Sequence, residues 1–376
     1  MAFNFKVLNE AAISAGTKVL CQIDLNLPIQ AGAVADSFRF EKTLPTLNFL
    51  KERRVKTVLL GHLADGKNDK MSLAPVYEYV KKFFPTRFAS DIKQAEQILS
   101  EIKDGEFVML ENTRRFEGEK ENSDTLAKEF ASLGSIFVND AFSVSHRSHA
   151  SIVGIPKFIP SYAGLLFADE VSNLSKAFNP PKPFMFILAG AKFETKFPLV
   201  KKFLELADTV FLGGALANDL LKYKGYEIGL SKHASVDLGF AGVASNQKLL
   251  LPIDVVAERG GMATIKDVAS VATDERIVDA GPKTLALLKE KIAGAKFVLW
   301  NGTLGAYEEN FVKPTEDLAR YIAFSGAESV IGGGDTLASI SKLNLLDKFS
   351  FVSTGGGAML DFLAKGTLPG ITALEN

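Results

Sequence analysis

The sequence predicts an α/β protein in which mostly parallel sheets carry helices on both faces. Segments typical of strands and of helices alternate along the 376 residues, and this alternation builds a parallel sheet that helices cover on both sides. In the second half, short apolar runs lead five times directly into glycines. Each run is too short for a helix and rich in aliphatic and aromatic residues, so we predict five buried strands.

The first half supplies four further strand candidates, at 18–23, 55–60, 107–110 and 135–138. Helical patterns are predicted between them, at 42–53, 75–84, 90–103 and 124–133. A proline-punctuated break follows at 154–164, and one amphipathic helix is predicted at 165–178, just before Pro180 and Pro181. A linker, a helix and a pair of prolines in succession indicate a joint between two domains. The length of the chain also favours roughly two or three domains.

The glycines of the second half follow predicted strands at 184–188, 209–212, 297–300, 329–331 and 351–354. Loops that leave parallel strands at their carboxyl ends share one edge of the sheet, and ligands bind at that edge. Glycine lets backbone N–H groups approach a phosphate, and the start of the following helix favours negative charge. The second half is therefore predicted to bind a nucleotide.

Basic residues, rather than glycines, follow the strands of the first half. They are Arg39, His62, Arg114, Arg115, His146, Arg147 and His149. Arginine binds carboxylate and phosphate groups through a planar fork of donors. The first half is therefore predicted to form a pocket for a small, multiply charged anion.

The bulk composition argues against several classes of protein. With 43 basic and 44 acidic residues the net charge is −1, which does not suit a nucleic-acid protein held by bulk electrostatics. No run approaches the ~18 apolar residues of a membrane span, and the first residues lack the apolar core of a signal peptide. Cys21 is the single cysteine and is predicted to be a small buried residue. We expect a soluble cytoplasmic protein without nucleic-acid or membrane partners.

Two motifs suggest sites that their details do not support. The segment 61–68 nearly spells a Walker phosphate loop, but Asn68 stands where Ser or Thr would ligate Mg²⁺. A dinucleotide-binding glycine fingerprint is also lacking after the early strands. His146 and His149 have the spacing of metal ligands without a nearby third ligand, so a structural or anion-contacting role is favoured.

Two acidic motifs have both a structural and a functional interpretation. Asp24 and Asn26 either form a turn or belong to a binding site, at even odds. Asp335 and Thr336 either cap the helix that begins there or help to bind phosphate or Mg²⁺. These two roles are compatible, because a capped helix start beside a triple glycine is also a good phosphate or Mg²⁺ site.

Lys192 and Lys196 lie one helical turn apart at the start of a predicted helix. They could form a solvated face, but lysine directly after a strand and a glycine is well placed to bind phosphate, and we favour that role. The sequence offers no evident pair of nucleophile and base. Phosphoryl transfer requires none, because positioning and charge neutralisation dominate its catalysis.

Several motifs along the chain resemble those of the phosphoglycerate kinase family. The resemblance lies in Asp24-Leu-Asn-Leu-Pro, Arg39 before Leu44-Pro-Thr, Leu110-Glu-Asn-Thr-Arg, Val138-Asn-Asp-Ala-Phe-Ser-Val-Ser-His-Arg-Ser-His-Ala-Ser, Ala189-Gly-Ala-Lys, Trp300-Asn-Gly-Thr-Leu-Gly-Ala-Tyr-Glu, Gly332-Gly-Gly-Asp-Thr and Ser353-Thr-Gly-Gly-Gly-Ala. The motifs occur in the family's order and cover essentially the whole chain.

The resemblance implies two Rossmann-like domains joined by a hinge helix at 165–178. Residues 1–162 would bind phosphoglycerate, with the tail 360–376 packing back on them, and residues 163–359 would bind the nucleotide. The implied glycolytic reaction is reversible, Mg²⁺-dependent transfer of the acyl phosphate of 1,3-bisphosphoglycerate to ADP, giving 3-phosphoglycerate and ATP. The transfer would be in line and would follow domain closure. We expect a monomer.

By motif position, the resemblance also implies roles for individual residues. Phosphoglycerate would be bound by Asp24, Asn26, Arg39, His62, Arg114 and Arg147. Mg-nucleotide would be bound by Lys196, Gly213, Asn301, Glu308, Gly333, Gly334, Asp335 and Thr336, with Glu308 on the ribose and Asp335 at the metal. The transferring phosphoryl group would be surrounded by the catalytic residues Arg39, Lys192, Lys196, Gly334 and Gly356.

The chain departs from the family pattern most clearly at Asp65, which replaces an arginine that binds phosphoglycerate. Lys67, two residues on, is the nearest substitute for that charge. Milder departures are Thr195, at a usually acidic position, and the pair Thr303-Leu304, which replaces Pro-Met. Because of Asp65, the alternative to an active enzyme is a catalytically weak relative that binds nucleotide in a binding or regulatory role. A nicotinamide-dependent oxidoreductase has little support without its fingerprint.

Overall fold

The computed structural model describes residues 3–66, 68–191, 193–234 and 239–375, with Glu194 and Thr195 described by their backbone. The chain divides into two compact units. The first comprises Met1–Ser172 and Lys365–Asn376, and the second comprises Asn173–Ala364. We describe each unit by itself, with strands and helices numbered in chain order.

The first unit is built on a six-stranded parallel sheet. The strands of the whole unit are β1 (Lys18–Gln22), β2 (Ile29–Gln30), β3 (Ala33–Val34), β4 (Lys56–Leu60), β5 (Thr86–Ala89), β6 (Phe107–Leu110), β7 (Ile136–Asn139) and β8 (Ser161–Ala163). The parallel sheet has the order β5-β6-β4-β1-β7-β8, and β2 and β3 form a separate antiparallel hairpin. All four strands predicted in this half are therefore present.

Helices cover both faces of this sheet because its strands are apolar on both sides. The helices are α1 (Phe38–Glu52), α2 (Ala74–Val80), α3 (Ile92–Glu101) and α4 (Asp124–Ala131), and α5 (Leu165–Ser175) begins in this unit and ends in the second. Along β1, Val19 and Cys21 pack into one hydrophobic cluster and Leu20 packs into the other, on the opposite face. This alternation follows from the two-residue repeat of a strand. Burial also raises the pKa of the Cys21 thiol well above its usual value.

Local sequence explains where several of these helices begin and end. Asp91 accepts a hydrogen bond from the Gln94 N–H at the start of α3, and Ser123 accepts one from the Leu126 N–H at the start of α4. Such caps satisfy backbone donors that the first turn leaves unpaired. The helix predicted at 165–178 is α-helical to Ser175 and continues as a 3₁₀ turn over Lys176–Phe178.

The second unit contains a second six-stranded parallel sheet and a smaller antiparallel one. Its strands are β9 (Phe184–Leu188), β10 (Thr209–Leu212), β11 (Leu249–Leu250), β12 (Asp254–Arg259), β13 (Met262–Asp267), β14 (Arg276–Ala280), β15 (Phe297–Asn301), β16 (Glu328–Gly332) and β17 (Phe351–Ser353). The parallel sheet has the order β11-β10-β9-β15-β16-β17, and the antiparallel sheet has the order β13-β12-β14.

The remaining helices are α6 (Phe193–Leu206), α7 (Ala215–Tyr223), α8 (Ala241–Ala244), α9 (Pro282–Ala293), α10 (Lys313–Ala323), α11 (Gly334–Ile340), α12 (Gly357–Lys365) and α13 (Pro369–Leu374). Helix α13 belongs to the first unit, where the Gly370 N–H donates to the Ser145 carbonyl (2.8 Å). Among the described helices, none combines the length and the apolar character needed to cross a membrane.

The predicted α/β class is confirmed, and the five strands predicted ahead of glycines all belong to the second parallel sheet. The antiparallel sheet β13-β12-β14 was not predicted. Its edge strand β13 is largely exposed, and a register shift interrupts the pairing of β12 with β14 between Val256 and Ala257. An exposed, irregular strand leaves no clean apolar pattern in the sequence.

Asp140 is a fully buried acid that ties the end of β7 to the start of α5. Its Oδ1 accepts a hydrogen bond from the Phe167 N–H (3.1 Å), whereas its Oδ2 has no hydrogen-bond partner among the described residues. Burial raises the pKa of this carboxyl to about 7, although the hydrogen bond from Phe167 opposes the shift. The folded protein therefore keeps a substantial fraction of this acid protonated up to about neutral pH.

The first prediction concerns this acid. A carboxyl with a higher pKa in the folded chain than in the unfolded chain loses its contribution to stability as pH rises from the unfolded to the folded value. We therefore expect Asp140→Asn to gain melting temperature relative to the wild type as pH rises from 5 to 8. Calorimetry of both proteins, with the exposed Asp104→Asn as control, checks this. Parallel profiles for the wild type and Asp140→Asn would show that Asp140 ionises normally.

Candidate active site

Four basic or acidic loops meet at the carboxyl edge of the first sheet. Asp24 follows β1, His62 follows β4, Arg114 follows β6 and Arg147 follows β7. These strands lie side by side in the order β6-β4-β1-β7, so their loops are neighbours. The structure therefore brings together residues that the sequence separates by more than a hundred positions.

Asp24 forms the turn that its sequence allows and also orients Arg39. Its Oδ1 accepts a hydrogen bond from the Asn26 N–H (2.9 Å), and its Oδ2 accepts one from the Ser143 hydroxyl (2.6 Å). The same Oδ2 lies 3.4 Å from Nη1 of Arg39, whose side chain is partly exposed. The two interpretations of Asp24 are thus compatible, because a buried turn residue holds an accessible arginine.

His62 is buried beside the half-buried Arg114, whose charge disfavours protonation of the histidine. The pKa of His62 is lowered to about 4, first by burial and then by the charge of Arg114, while Asp24 opposes the shift. The pKa of Arg114 is also lowered, first by burial and then by Arg147. At neutral pH the histidine is therefore a neutral hydrogen-bonding group among arginines. A bound anion would relieve the repulsion between these arginines.

His149 joins the same cluster, but a metal site is not apparent. Burial, followed by the charges of Arg114 and Arg147, lowers the pKa of His149 to about 4. Its Nδ1 lies 3.8 Å from Oε1 of Glu119, whose own pKa burial raises to about 7. The described residues contain no group of three His, Cys, Asp or Glu side chains that could hold a metal.

A single buried amide holds the loop that carries Asp65. Nδ2 of Asn112 donates to the carbonyls of Leu63 (2.7 Å), Asp69 (3.2 Å) and Met71 (2.8 Å). Asn112 belongs to a motif found in the sequence, but no role was predicted for it. Its partners lie far away along the chain, so the sequence gives no local signal of this role.

The loop itself differs from a Walker phosphate loop. Asp65 and Asn68 exchange two backbone hydrogen bonds (2.8 and 2.9 Å), and the next helix begins only at Ala74. A Walker loop needs a helix that starts directly after it. The Asp65 side chain is exposed, and Lys67 lies outside the described residues.

Three loops touch backbone to backbone at the carboxyl edge of the second sheet. They follow β9, β10 and β15, which are neighbours in that sheet. A Cβ atom on Gly214 would lie 2.7 Å from the Gly190 nitrogen and 3.1 Å from the Thr303 carbonyl oxygen, and a Cβ on Gly302 would lie 2.0 Å from the Ala189 carbonyl oxygen. Gly214 also has a φ of +60°. Glycine is therefore required here for close packing as well as for backbone conformation.

These loops form one wall of a pocket within the second unit. Gly190, Gly214 and Thr303 line it, together with the predicted nucleotide-binding residues Glu308 and Asp335, both of which are exposed. Apolar side chains also line it, namely those of Ala217, Leu221, Pro252, Val255, Ile277 and Val278, and so do the charged residues Lys232, Arg276 and Glu309. A pocket that combines apolar side chains with convergent polar groups is typical of a small-molecule site.

The other predicted nucleotide-binding residues lie beside this wall rather than on it. The Thr336 hydroxyl accepts a hydrogen bond from the Gly302 N–H (2.8 Å), and a Cβ on Gly333 would lie 3.0 Å from the buried Asn301 amide. Gly213 packs against Leu304. Gly334 is the first residue of α11 and has open space around its Cα.

The structure describes only one of the two predicted catalytic lysines. Lys196 is buried in α6, and its Nζ donates to the Ala189 carbonyl (2.6 Å) beside the pocket residue Gly190. Lys192 lies outside the described residues. Gly356, between β17 and α12, has a φ of +52° and open space around its Cα.

Asp335 is the residue best suited to approach a nucleotide-bound Mg²⁺. It is an exposed carboxylate in the first turn of α11 and lines the pocket. Mg²⁺ in nucleotide sites is usually held by one or two carboxylates and by substrate phosphates, with water completing the shell. One accessible carboxylate beside glycine loops therefore fits this chemistry.

A parallel sheet whose glycine loops meet beside an apolar pocket defines a nucleotide-binding α/β protein. The sequence model of phosphoglycerate kinase matches residues 9–366. The chain therefore belongs to the phosphoglycerate kinase family and is a kinase.

Full-length relatives agree with this assignment. A phosphoglycerate kinase of Clostridium botulinum (strain Eklund 17B / Type B) is 38% identical over 397 residues, and one of Clostridium perfringens (strain ATCC 13124) is 37% identical over 401 residues. Each comparison covers 100% of both chains. The structure of phosphoglycerate kinase from Coxiella burnetii matches with a TM-score of 0.83 at 35% identity, and that from Pyrococcus horikoshii OT3 with 0.87 at 28%. Both structural matches cover 98% of each chain.

Two buried polar residues of the pocket wall were missed by sequence reasoning. Asn218 lies in α7 and Asp279 in β14, and each is almost fully buried. Burial raises the pKa of Asp279 to about 8, although a hydrogen bond from the Ala280 N–H opposes the shift. Neither residue directly follows a strand, and a position directly after a strand is the pattern that predicts the other site residues.

The second prediction tests the contact between loops. Gly214→Ala should lower stability by about 1–3 kcal/mol more than Gly260→Ala, because overpacking costs this much. Gly260 is a matched control, since its φ is +57° but a Cβ there meets nothing within 4 Å. Melting temperatures of both variants check this. Equal losses would mean that backbone conformation alone requires glycine at 214.

Proposed function

We propose that the protein catalyses reversible transfer of the acyl phosphate of 1,3-bisphosphoglycerate to ADP, giving 3-phosphoglycerate and ATP with Mg²⁺. Membership of the phosphoglycerate kinase family over nearly the whole chain carries the proposal. It also favours the active enzyme over a catalytically weak, regulatory relative. A coupled assay with 3-phosphoglycerate, MgATP and a dehydrogenase that consumes 1,3-bisphosphoglycerate tests it directly.

The basic cluster of the first unit is the proposed phosphoglycerate site. Arg39, Arg114 and Arg147 supply the positive charge that a phosphate and a carboxylate require. Asp24 orients Arg39 through their contact at 3.4 Å, and Asn26 accepts a hydrogen bond from the Ala64 N–H (2.9 Å), which fixes the neighbouring loop. His62 contributes a neutral N–H donor, since its pKa of about 4 leaves it uncharged at neutral pH.

The pocket of the second unit is the proposed site of Mg-nucleotide. Glu308 would bind the ribose, and the backbone around Gly333 and Gly334 would bind phosphate at the start of α11. Asn301 and Thr336 lie close to Gly333, and Thr336 also accepts a hydrogen bond from the Gly302 N–H, so these two residues position the glycine loops. Mg²⁺, bound with the nucleotide and approached by Asp335, would neutralise phosphate charge.

Catalysis in this proposal rests on charge neutralisation and positioning. The accepting or leaving oxygen of phosphoglycerate belongs to a carboxylate that is already ionised at neutral pH, so no general base is needed. Arg39, Lys192, Lys196 and the amides at Gly334 and Gly356 would surround the transferring group. A monomer in the cytoplasm remains our prediction from the sequence.

The third prediction concerns these cationic residues. Arg39→Ala and Lys192→Ala should each lower turnover by about 10²-fold or more, because such groups stabilise charge that develops in the transition state. The KM for ATP should change little. Arg53→Ala is the matched control, because Arg53 lies exposed just after the same helix as Arg39 and stacks on Phe49. A variant with near-normal turnover would remove its residue from the catalytic set.

The fourth prediction concerns Asp65. Replacing this exposed carboxylate by Asp65→Arg should lower the KM for 3-phosphoglycerate several-fold and leave the KM for ATP and the turnover almost unchanged. A screened surface charge is worth ~0–1 kcal/mol, and a hydrogen-bonded charge contact is worth ~1.5–3 kcal/mol. Lys67→Ala should raise the same KM if Lys67 substitutes for the usual arginine. No change in either variant would mean that this loop does not contact the substrate.

A further inference from the structure

Glu119 is a buried carboxylate that holds two loops of the first unit together. The residue is 2% exposed and lies in the loop that follows β6. Its Oε2 accepts a hydrogen bond from the Ser151 N–H (3.0 Å), and its Oε1 accepts one from the Ser151 hydroxyl (2.5 Å). Its backbone carbonyl accepts a further one from the Ala150 N–H (2.9 Å). One residue therefore fixes the start of the π-helical turn Ala150–Gly154, which follows β7.

These contacts anchor one end of the short segment that carries Arg147. Arg147 lies three residues before Ala150 and is exposed. The other end of the segment is anchored at the buried Ser145, whose hydroxyl donates to the Ala141 carbonyl (3.0 Å) and whose carbonyl accepts from the Gly370 N–H (2.8 Å). An exposed arginine between two anchored ends loses less conformational freedom when it binds an anion, so anchoring favours binding.

Glu119 also belongs to the loop that carries Arg114. The Arg114 N–H donates to Oδ1 of Asn112 (3.0 Å), and the Glu119 N–H donates to the Phe116 carbonyl (3.4 Å), so hydrogen-bonded turns join the two residues. The charges that act on Arg114 include those of Glu119 and Arg147. The link at Glu119 therefore sets the spacing between the two arginines.

The hydrogen bonds of Glu119, rather than its charge, make this link. Burial raises its pKa to about 7, although hydrogen bonds from Ser151 and Thr113 and the charge of Arg114 oppose the shift, so a substantial fraction is uncharged at neutral pH. The Nδ1 of His149, at 3.8 Å, lies beyond hydrogen-bond distance. A glutamine could make the same contacts, because its amide oxygen can accept from the Ser151 N–H and its NH₂ group can donate to the Ser151 hydroxyl oxygen.

We propose that Glu119 is a positioning residue for phosphoglycerate, because it fixes the segment of Arg147 against the loop of Arg114. Its buried side chain acts on the ligand through Arg147 rather than by contact. This inference rests on the proposed function of the basic cluster as the phosphoglycerate site, and it adds a residue that keeps this site formed before the ligand binds.

The first experiment compares Glu119→Ala with Glu119→Gln by calorimetric titration with 3-phosphoglycerate and, separately, with MgADP. We expect Glu119→Ala to bind 3-phosphoglycerate about five- to tenfold more weakly, because the arginine segment must then be ordered when the ligand binds. Glu119→Gln should bind it almost as tightly as the unaltered protein, and both variants should bind MgADP normally. Glu117→Ala is the matched control, because Glu117 is an exposed acid in the same loop. The control should bind both ligands normally.

The second experiment tests whether Glu119 acts through Arg147. Arg147→Ala removes a charged hydrogen-bond donor and should bind 3-phosphoglycerate about tenfold more weakly or worse. Adding Glu119→Ala to that variant should weaken binding little further, because the segment then lacks the arginine that Glu119 positions. Two residues that act as a unit give such non-additive losses. Fully additive losses would show that Glu119 acts by another route and would overturn the inference.

The outcomes separate this inference from the proposed function. Normal binding of 3-phosphoglycerate by folded Glu119→Ala overturns the inference alone, as do equal losses in Glu119→Ala and Glu119→Gln, which would assign the effect to charge. No binding of 3-phosphoglycerate by the unaltered protein overturns both the inference and the proposed site.

If Glu119→Ala does not fold, Ser151→Ala decides the question, because it removes only the hydroxyl that donates to Glu119. A loss of about three- to fivefold in affinity for 3-phosphoglycerate, the effect of one hydrogen bond, supports the inference. Unchanged affinity in this variant overturns it.

Discussion

The contact of three loops without intervening side chains is the constraint on which the second unit depends. Gly214, Gly190 and Thr303 approach so closely that a single added carbon at position 214 would lie 2.7 Å from a backbone nitrogen. Three neighbouring parallel strands deliver these loops to one edge of the sheet. The close packing leaves backbone groups as the surface of one pocket wall, and backbone N–H groups can approach phosphate more closely than most side chains allow.

The first unit uses the same edge of a parallel sheet for a different chemistry. Its loops bring side chains together instead of backbone, and burial, with repulsion between neighbouring cationic groups as a second cause, lowers the pKa of both His62 and Arg114. Asp24 and the buried amide of Asn112 hold this arrangement through fixed hydrogen bonds. The cost of gathering these charges is offset when an anion binds, which is why such clusters mark binding sites.

The strands of both parallel sheets and the loops that follow them could be predicted from the sequence, because parallel strands are buried on both faces. Their apolar runs are continuous, and the residues that follow them fall at one edge of the sheet. The strand β13 was missed because it is exposed and lacks such a run. Asn112 and Asn218 were missed for another reason: their roles depend on partners such as Leu63 and Lys232, which are 49 and 14 positions away.

We propose that each unit carries one ligand site with its own chemistry, charged side chains in the first and glycine loops in the second. Calorimetric titration of Arg114→Ala with 3-phosphoglycerate and, separately, with MgADP tests it most directly. Removing a hydrogen-bonded charge costs about 1.5–3 kcal/mol, so 3-phosphoglycerate should bind at least tenfold more weakly. MgADP should bind within about twofold of the unaltered protein. Equal losses for both ligands, or none for 3-phosphoglycerate, would contradict the division of the two sites between the two units.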